Sequence, residues 1–230
     1  MLEANQSFQR TAWASVSLQP TPPLNSSLCG NHPETALHVQ VKNMEETSKL
    51  EIRISEKAER TEIENIHKKA FGRDKGREIA DLVNGLFEDK TAMPLLSMVA
   101  VENGKLIGHI LYTKGIIAET DKSVSVQLLA PLAVIPEAQK KGVGGRLINE
   151  GLERLKKSGT DLVFVLGHPG YYPRCGFVTA GRLGFEAPYP IPDEHADAWM
   201  VQELKKGIIG NVTGKFQCPE VLNQPEHWRE

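Results

Sequence analysis

The residues best suited to chemistry in this chain fall in one short run, Gln139-Lys140-Lys141-Gly142-Val143-Gly144-Gly145-Arg146. An apolar stretch, Val124 to Ile135, precedes it. A helical pattern follows from Val143 to Lys157, with Val143, Leu147, Ile148, Gly151, Leu152 and Leu155 on one side. A strand-to-helix turn of this kind leaves the first helical N–H groups unpaired at the positive end of the helix dipole, where an anion collects. Glycines let the backbone come close to phosphate oxygens and adopt positive φ. Lys140, Lys141 and Arg146 add three cations within seven residues, which suits a pyrophosphate or a ribose phosphate. The residues alone therefore point to a phosphate-bearing ligand. The bland alternative is a glycine-rich turn that binds nothing.

Two familiar phosphate motifs do not fit. A dinucleotide fingerprint requires glycine where Leu147 stands, and no G-x-x-x-x-G-K-[ST] string occurs. What fits is Q-x-x-G-x-G, as Gln139, Gly142 and Gly144, after an apolar strand ending in Val134-Ile135-Pro136. Some thirty residues on comes Tyr171-Tyr172-Pro173-Arg174-Cys175-Gly176-Phe177. In these motifs the chain resembles the Gcn5-related N-acetyltransferase (GNAT) superfamily over about residues 50 to 205. Within it, the chain is most similar to the bacterial N-acetyltransferase subgroup carrying PLAV-x-P-x-x-Q and YY-x-R-x-GF.

That resemblance implies acetyl-CoA as co-substrate, no metal, and direct attack of an amine on the thioester. It assigns the acyl donor to the backbone of Leu132, Ala133 and Val134 and to the loop Gln139, Lys140, Lys141, Gly142, Val143, Gly144, Gly145 and Arg146. Tyr172, four residues before Gly176, takes the place of the general acid; a phenol stays protonated at neutral pH. The base is open. Some relatives carry a glutamate on the fourth strand, but residues 128 to 135 here contain no carboxylate. His168, just after the next strand, is the nearest titratable candidate, against the plainer reading of a loop histidine bonding backbone. Cys175 reads as packing rather than nucleophile. The acceptor is a small-molecule or protein amine, and homodimers are common among relatives. The alternative is a non-catalytic acyl-CoA-binding regulatory module on the same fold; a longer acyl donor is a further variant.

The elements that must position these residues are legible from about Leu50. Leu50 to Ile54 alternates as a strand, and Ser55 is placed to cap a helix carrying Ile63, Ile66, Ala70 and Phe71. A second helix is expected over Gly76 to Phe87. Leu96 to Val101 and Leu106 to Tyr112 flank Asn103-Gly104, a hairpin signal. Val124 to Ile135 and Leu162 to Leu166 read as buried strands, and Phe177 to Ala187 and Asp197 to Glu203 as later ones. The expected fold is α/β: the GNAT fold, a mixed sheet of six to seven strands flanked by helices over residues 49–230. The first 48 residues, rich in Pro, Ser and Asn, read as a largely disordered extension.

Composition excludes several classes. Lys and Arg total 27 against 29 Asp and Glu, so no basic surplus exists to bind nucleic acid through bulk charge. No apolar run approaches a membrane span, and no secretory pattern opens the chain. The three cysteines lie far apart, which argues against a disulfide scaffold and favours a reducing, cytoplasmic setting.

Overall fold

A computed structural model describes residues 50–228; the expected extension over residues 1–48 lies outside the described residues. In chain order the main elements are β1 (Glu51–Ile54), α1 (Arg60–Glu88), β2 (Leu96–Glu102), β3 (Lys105–Ile117), β4 (Val126–Val134), α2 (Val143–Lys157), β5 (Leu162–Leu166), β6 (Val178–Thr179), β7 (Phe185–Glu186), β8 (Trp199–Glu203) and β9 (Gly214–Gln217). The sheet runs β1-β2-β3-β4-β5-β8-β6, with β9 paired to the end of β3 and to β7. Along the main path only β4 and β5 are parallel. A parallel pair needs a crossover, and α2 supplies it.

Side-chain direction along the strands divides the core, and in β4 the alternation slips between Leu129 and Leu132, where the register with β3 shifts. Leu128 and Ala130 of β4 join Ile79, Leu82, Val83 and Leu86 of α1. Leu129, Leu132 and Val134 face the other way, against Val143, Leu147, Ile148 and Leu152 of α2. β4 is buried at every position, as a strand covered on both faces must be.

The two helices expected before β2 form one run interrupted at Gly72, whose φ of 74° and ψ of −169° break the helix. Ser55 does not cap the first of them. The Glu59 carboxylate accepts the Glu56 N–H at 2.7 Å instead, and Arg53 holds that carboxylate from the sheet side. The hairpin forms as expected, with Asn103 and Gly104 both at positive φ. The continuous strand expected over 177–187 does not form: a 3-10 turn at Gly181–Leu183, closed by Gly184 at φ 82°, divides it into β6 and β7. β9 has no counterpart in the sequence expectations.

The Ser55 side chain belongs to a buried polar chain that ties α1 to the sheet. Ser55 Oγ meets Ser97 Oγ at 2.5 Å, Ser97 Oγ meets His109 Nε2 at 2.9 Å, and His109 Nδ1 meets His67 Nε2 at 2.8 Å. Burial pushes the His67 imidazole down to about 3. It pushes His109 well below the ordinary histidine range, with the His67 charge adding to the effect. Both rings are neutral when folded, whereas the unfolded chain protonates each below about pH 6.5. The unfolded state then binds more protons, so this stability is full above that pH and is lost as pH falls. For His67 the loss at pH 5 amounts to about 2 kcal/mol. A Tm series across this range should fall on the acid side, with a shallower slope in His67→Leu.

Candidate active site

The site is built where β4 and β5 part. They pair at Val126↔Leu162, Gln127↔Val163 and Leu128↔Phe164 and no further, although β4 continues to Val134. On its other edge β4 stays paired to β3, with Ile110↔Leu132, His109↔Ala133 and Gly108↔Val134. The backbone of residues 129–134 therefore keeps an edge toward β5 with no strand against it. Unpaired strand edges are ready to bond an added extended group.

The glycine loop follows directly. The Ile135 N–H reaches Ile107 O at 2.9 Å, which carries the pairing with β3 past the end of β4. The Gln139 amide donates to Val134 O at 2.9 Å; its side chain braces the loop against the strand it leaves. Lys140 at φ 62° and Gly142 at φ 80° turn the chain, and Gly142 is the residue before the first turn of α2. No side chain caps that turn and no acidic residue stands in it. Its N–H groups thus meet no protein carboxylate, which is what an anion site requires. Lys140, Lys141 and Arg146 are exposed around it, with one Arg146 guanidinium nitrogen donating to Leu50 O at 3.2 Å.

The two tyrosines take different places. Tyr171 is half-buried and brings its hydroxyl to the start of α2, where a Cβ added at Gly144 would lie 2.5 Å from it. Tyr172 is fully buried, stacked edge-on against Tyr171 and Phe177, and its hydroxyl has no hydrogen-bond partner. Burial raises Tyr171 to about 12 and Tyr172 far above the usual phenol range, so both stay protonated. Burial also raises the Cys175 thiol, which makes it a weak nucleophile at neutral pH. His168 Nδ1 accepts the Gly170 N–H at 3.0 Å, so that nitrogen serves the turn after β5.

On the opposite side of the sheet the same parting leaves a small, largely apolar cleft. Leu128, Leu129 and Ala130 of β4 and Leu166 of β5 line it, and Leu222, His227 and Trp228 of the C-terminal segment complete it. Sequence reasoning did not single out these last three. The only signal available was the isolated pairing of Leu222 with Trp228 in an otherwise polar stretch, too sparse to define an element.

Comparisons with known proteins show the family. Residues 51–180 match the profile of the acetyltransferase (GNAT) domain. The uncharacterized N-acetyltransferase YjhQ of Escherichia coli K12 is 46% identical over 168 residues, covering 73% of this chain and 91% of that relative. The chain belongs to the GNAT family and is an acetyltransferase. Among solved structures, E. coli YhbS in complex with CoA superposes with a TM-score of 0.68 at 25% identity, over 84% of this chain and 97% of that one. A GNAT acetyltransferase from Brucella melitensis in complex with acetyl-CoA gives 0.60 at 25% identity, over 76% and 99%. No helix among the described residues is long and apolar enough to cross a membrane.

A carboxylate at position 144 would bring negative charge to the uncapped turn and require Tyr171 to move. Gly144→Glu should lower CoA affinity at least about 100-fold, the scale of a few kcal/mol. Calorimetric titration with CoA checks this, alongside circular dichroism to confirm that the variant is folded.

Proposed function

We propose that the protein transfers the acetyl group of acetyl-CoA to a primary amine, free or on a protein, by direct attack. The observation that carries this reading is the open edge of β4 running straight into the uncapped, glycine-lined start of α2. One extended ligand with a pyrophosphate at one end fits both features. Its phosphates meet the α2 N–H groups and the cations Lys140, Lys141 and Arg146, and its amide-bearing arm runs along residues 132–134. A backbone N–H of that stretch polarises the thioester carbonyl, an arrangement that stabilises the tetrahedral oxyanion.

The amine must lose a proton before its lone pair can form the new N–C bond. As the intermediate collapses, the C–S bond breaks and sulfur takes the electron pair. Tyr172 is the group to meet that charge: burial holds its proton on oxygen, and no protein acceptor engages it. A buried hydroxyl without a partner costs roughly 1–3 kcal/mol, and a departing thiolate would satisfy it.

A thiol-release assay with acetyl-CoA and a panel of amines, amino acids and peptides tests the reading. Turnover on at least one amine is expected; tight CoA binding with no turnover would instead indicate a binding module. Tyr172→Phe removes only the hydroxyl and should lower kcat about 100-fold, with the KM for acetyl-CoA little changed.

A further inference from the structure

Tyr171 and Tyr172 are neighbours in the chain, yet only Tyr172 has a part in the transfer step described above. Tyr171 stands where the glycine loop and the β4 edge come together. A Cβ added at Gly144, in the first turn of α2, would lie 2.5 Å from the Tyr171 hydroxyl and 3.5 Å from Leu132 Cδ2. One point in space is therefore bordered by the start of α2, by Leu132 of β4 and by a phenol oxygen.

The half-buried phenol is held there by its own turn. The Tyr171 N–H donates to His168 O at 3.0 Å, and the Arg174 N–H donates to Tyr171 O at 3.3 Å. The ring meets Tyr172 edge-on, with centroids 5.3 Å apart. The hydroxyl itself has no hydrogen-bond partner among the described residues. Burial raises it to about 12, so it carries its proton throughout the neutral range. In α2 the Arg146 N–H bonds Gly142 O at 3.1 Å. The N–H groups of Val143, Gly144 and Gly145 come before it and have no carbonyl within the helix to meet. No side chain caps that turn and no acidic residue stands in it. The Tyr171 O–H thus adds one more donor to a turn already rich in open ones.

We propose that Tyr171 is a donor-binding residue whose hydroxyl donates a hydrogen bond to the acyl donor's pyrophosphate at the first turn of α2; this rests on the acetyl-transfer reading above. A phosphate oxygen there accepts from the helix N–H groups and from the phenol together. Hydrogen bonds to a charged acceptor are the strong ones. Lys140, Lys141 and Arg146 reach the phosphates from the loop and the helix, whereas Tyr171 reaches them from the turn after β5. A hydroxyl held in place fixes where the pyrophosphate sits, and with it the point where the arm meets β4 at Leu132. The two tyrosines then divide the work: Tyr171 holds the donor and Tyr172 serves the departing sulfur. Glycine at 144 fits the same arrangement. A methyl group there would collide with the hydroxyl but not with the ring, since Tyr171 Cζ would lie 3.6 Å away, an ordinary contact.

Calorimetric titration with CoA, and kinetics with acetyl-CoA and an amine from the panel, separate binding from chemistry. Tyr171→Phe removes only the hydroxyl and should weaken CoA binding about 10-fold. The KM for acetyl-CoA should rise in step, with kcat close to that of the wild type. S-acetyl-pantetheine, a thioester donor without the pyrophosphate, should give the same kcat/KM with Tyr171→Phe as with the wild type. Gly144→Ala should cost about as much CoA affinity as Tyr171→Phe, because the new methyl pushes the hydroxyl aside. In the Tyr171→Phe background the same alanine should cost little more, a non-additivity that marks a shared contact. Unchanged CoA affinity in a folded Tyr171→Phe overturns the assignment and leaves acetyl transfer standing. An equal loss on S-acetyl-pantetheine, a fall in kcat alone, or fully additive losses overturn it in the same way. Absence of CoA binding and of turnover in the wild type would remove the acetyl-transfer reading, and this assignment with it.

Discussion

The architecture turns on a pairing that stops. β4 and β5 run parallel for three residue pairs and then separate after Leu128↔Phe164, while β4 goes on, buried and bonded to β3 on its far edge. Buried backbone groups are normally paired, because an orphan costs roughly 1–3 kcal/mol. An edge left open in the middle of a sheet therefore has to be offered to something. Both known-structure relatives described above hold CoA or acetyl-CoA, and an extended amide-bearing arm is the kind of group such an edge can bond.

Everything near the opening keeps it in place. α2 packs through Val143, Leu147, Ile148 and Leu152 on one side. The broken α1 packs on the other through Ile79, Leu82, Val83 and Leu86. Phe164, the last residue of β5 paired to β4, is locked by Trp199, Phe185 and Phe216, with ring centroids 5.0–5.3 Å away. That aromatic group fixes β5 at the last residue it pairs with β4. Gln139, bonded to Val134 O, holds the loop at the end of the strand. Its contribution is to the shape of the anion site rather than to its charge.

The C-terminal segment adds an asymmetry. It comes back over the sheet after β9, latches onto the end of α1 through Asp89 and Thr91, and turns a largely aliphatic cleft into one with a single imidazole. The buried His67–His109–Ser97–Ser55 chain performs a different task on the same face. It satisfies polar groups between α1 and the sheet, and in doing so makes the seating of α1 sensitive to acid.

Much of this was legible from local patterns. The period of apolar residues in 143–157 requires an amphipathic helix, the unbroken run in 126–134 requires a doubly covered strand, and Asn103-Gly104 requires a tight turn. Each depends only on neighbours a few residues away, so each could be read before any tertiary contact was known. The glycine-and-cation loop is local in the same sense. Local signals failed where distant residues decide. Ser55 abandons the cap for Ser97, 42 residues on, and 177–187 breaks at its glycines rather than extending. Tyr171 and Tyr172, adjacent in sequence, differ in that one brings its hydroxyl to the loop and the other is buried with its hydroxyl unpartnered. Placing the imidazole of His227 beside β4 takes a return path of nearly a hundred residues and an anchor on α1. The amino-acid order thus determined the elements and the donor loop; long-range packing alone decided which side chains meet across the opening, because periodicity carries no information about where a chain comes back.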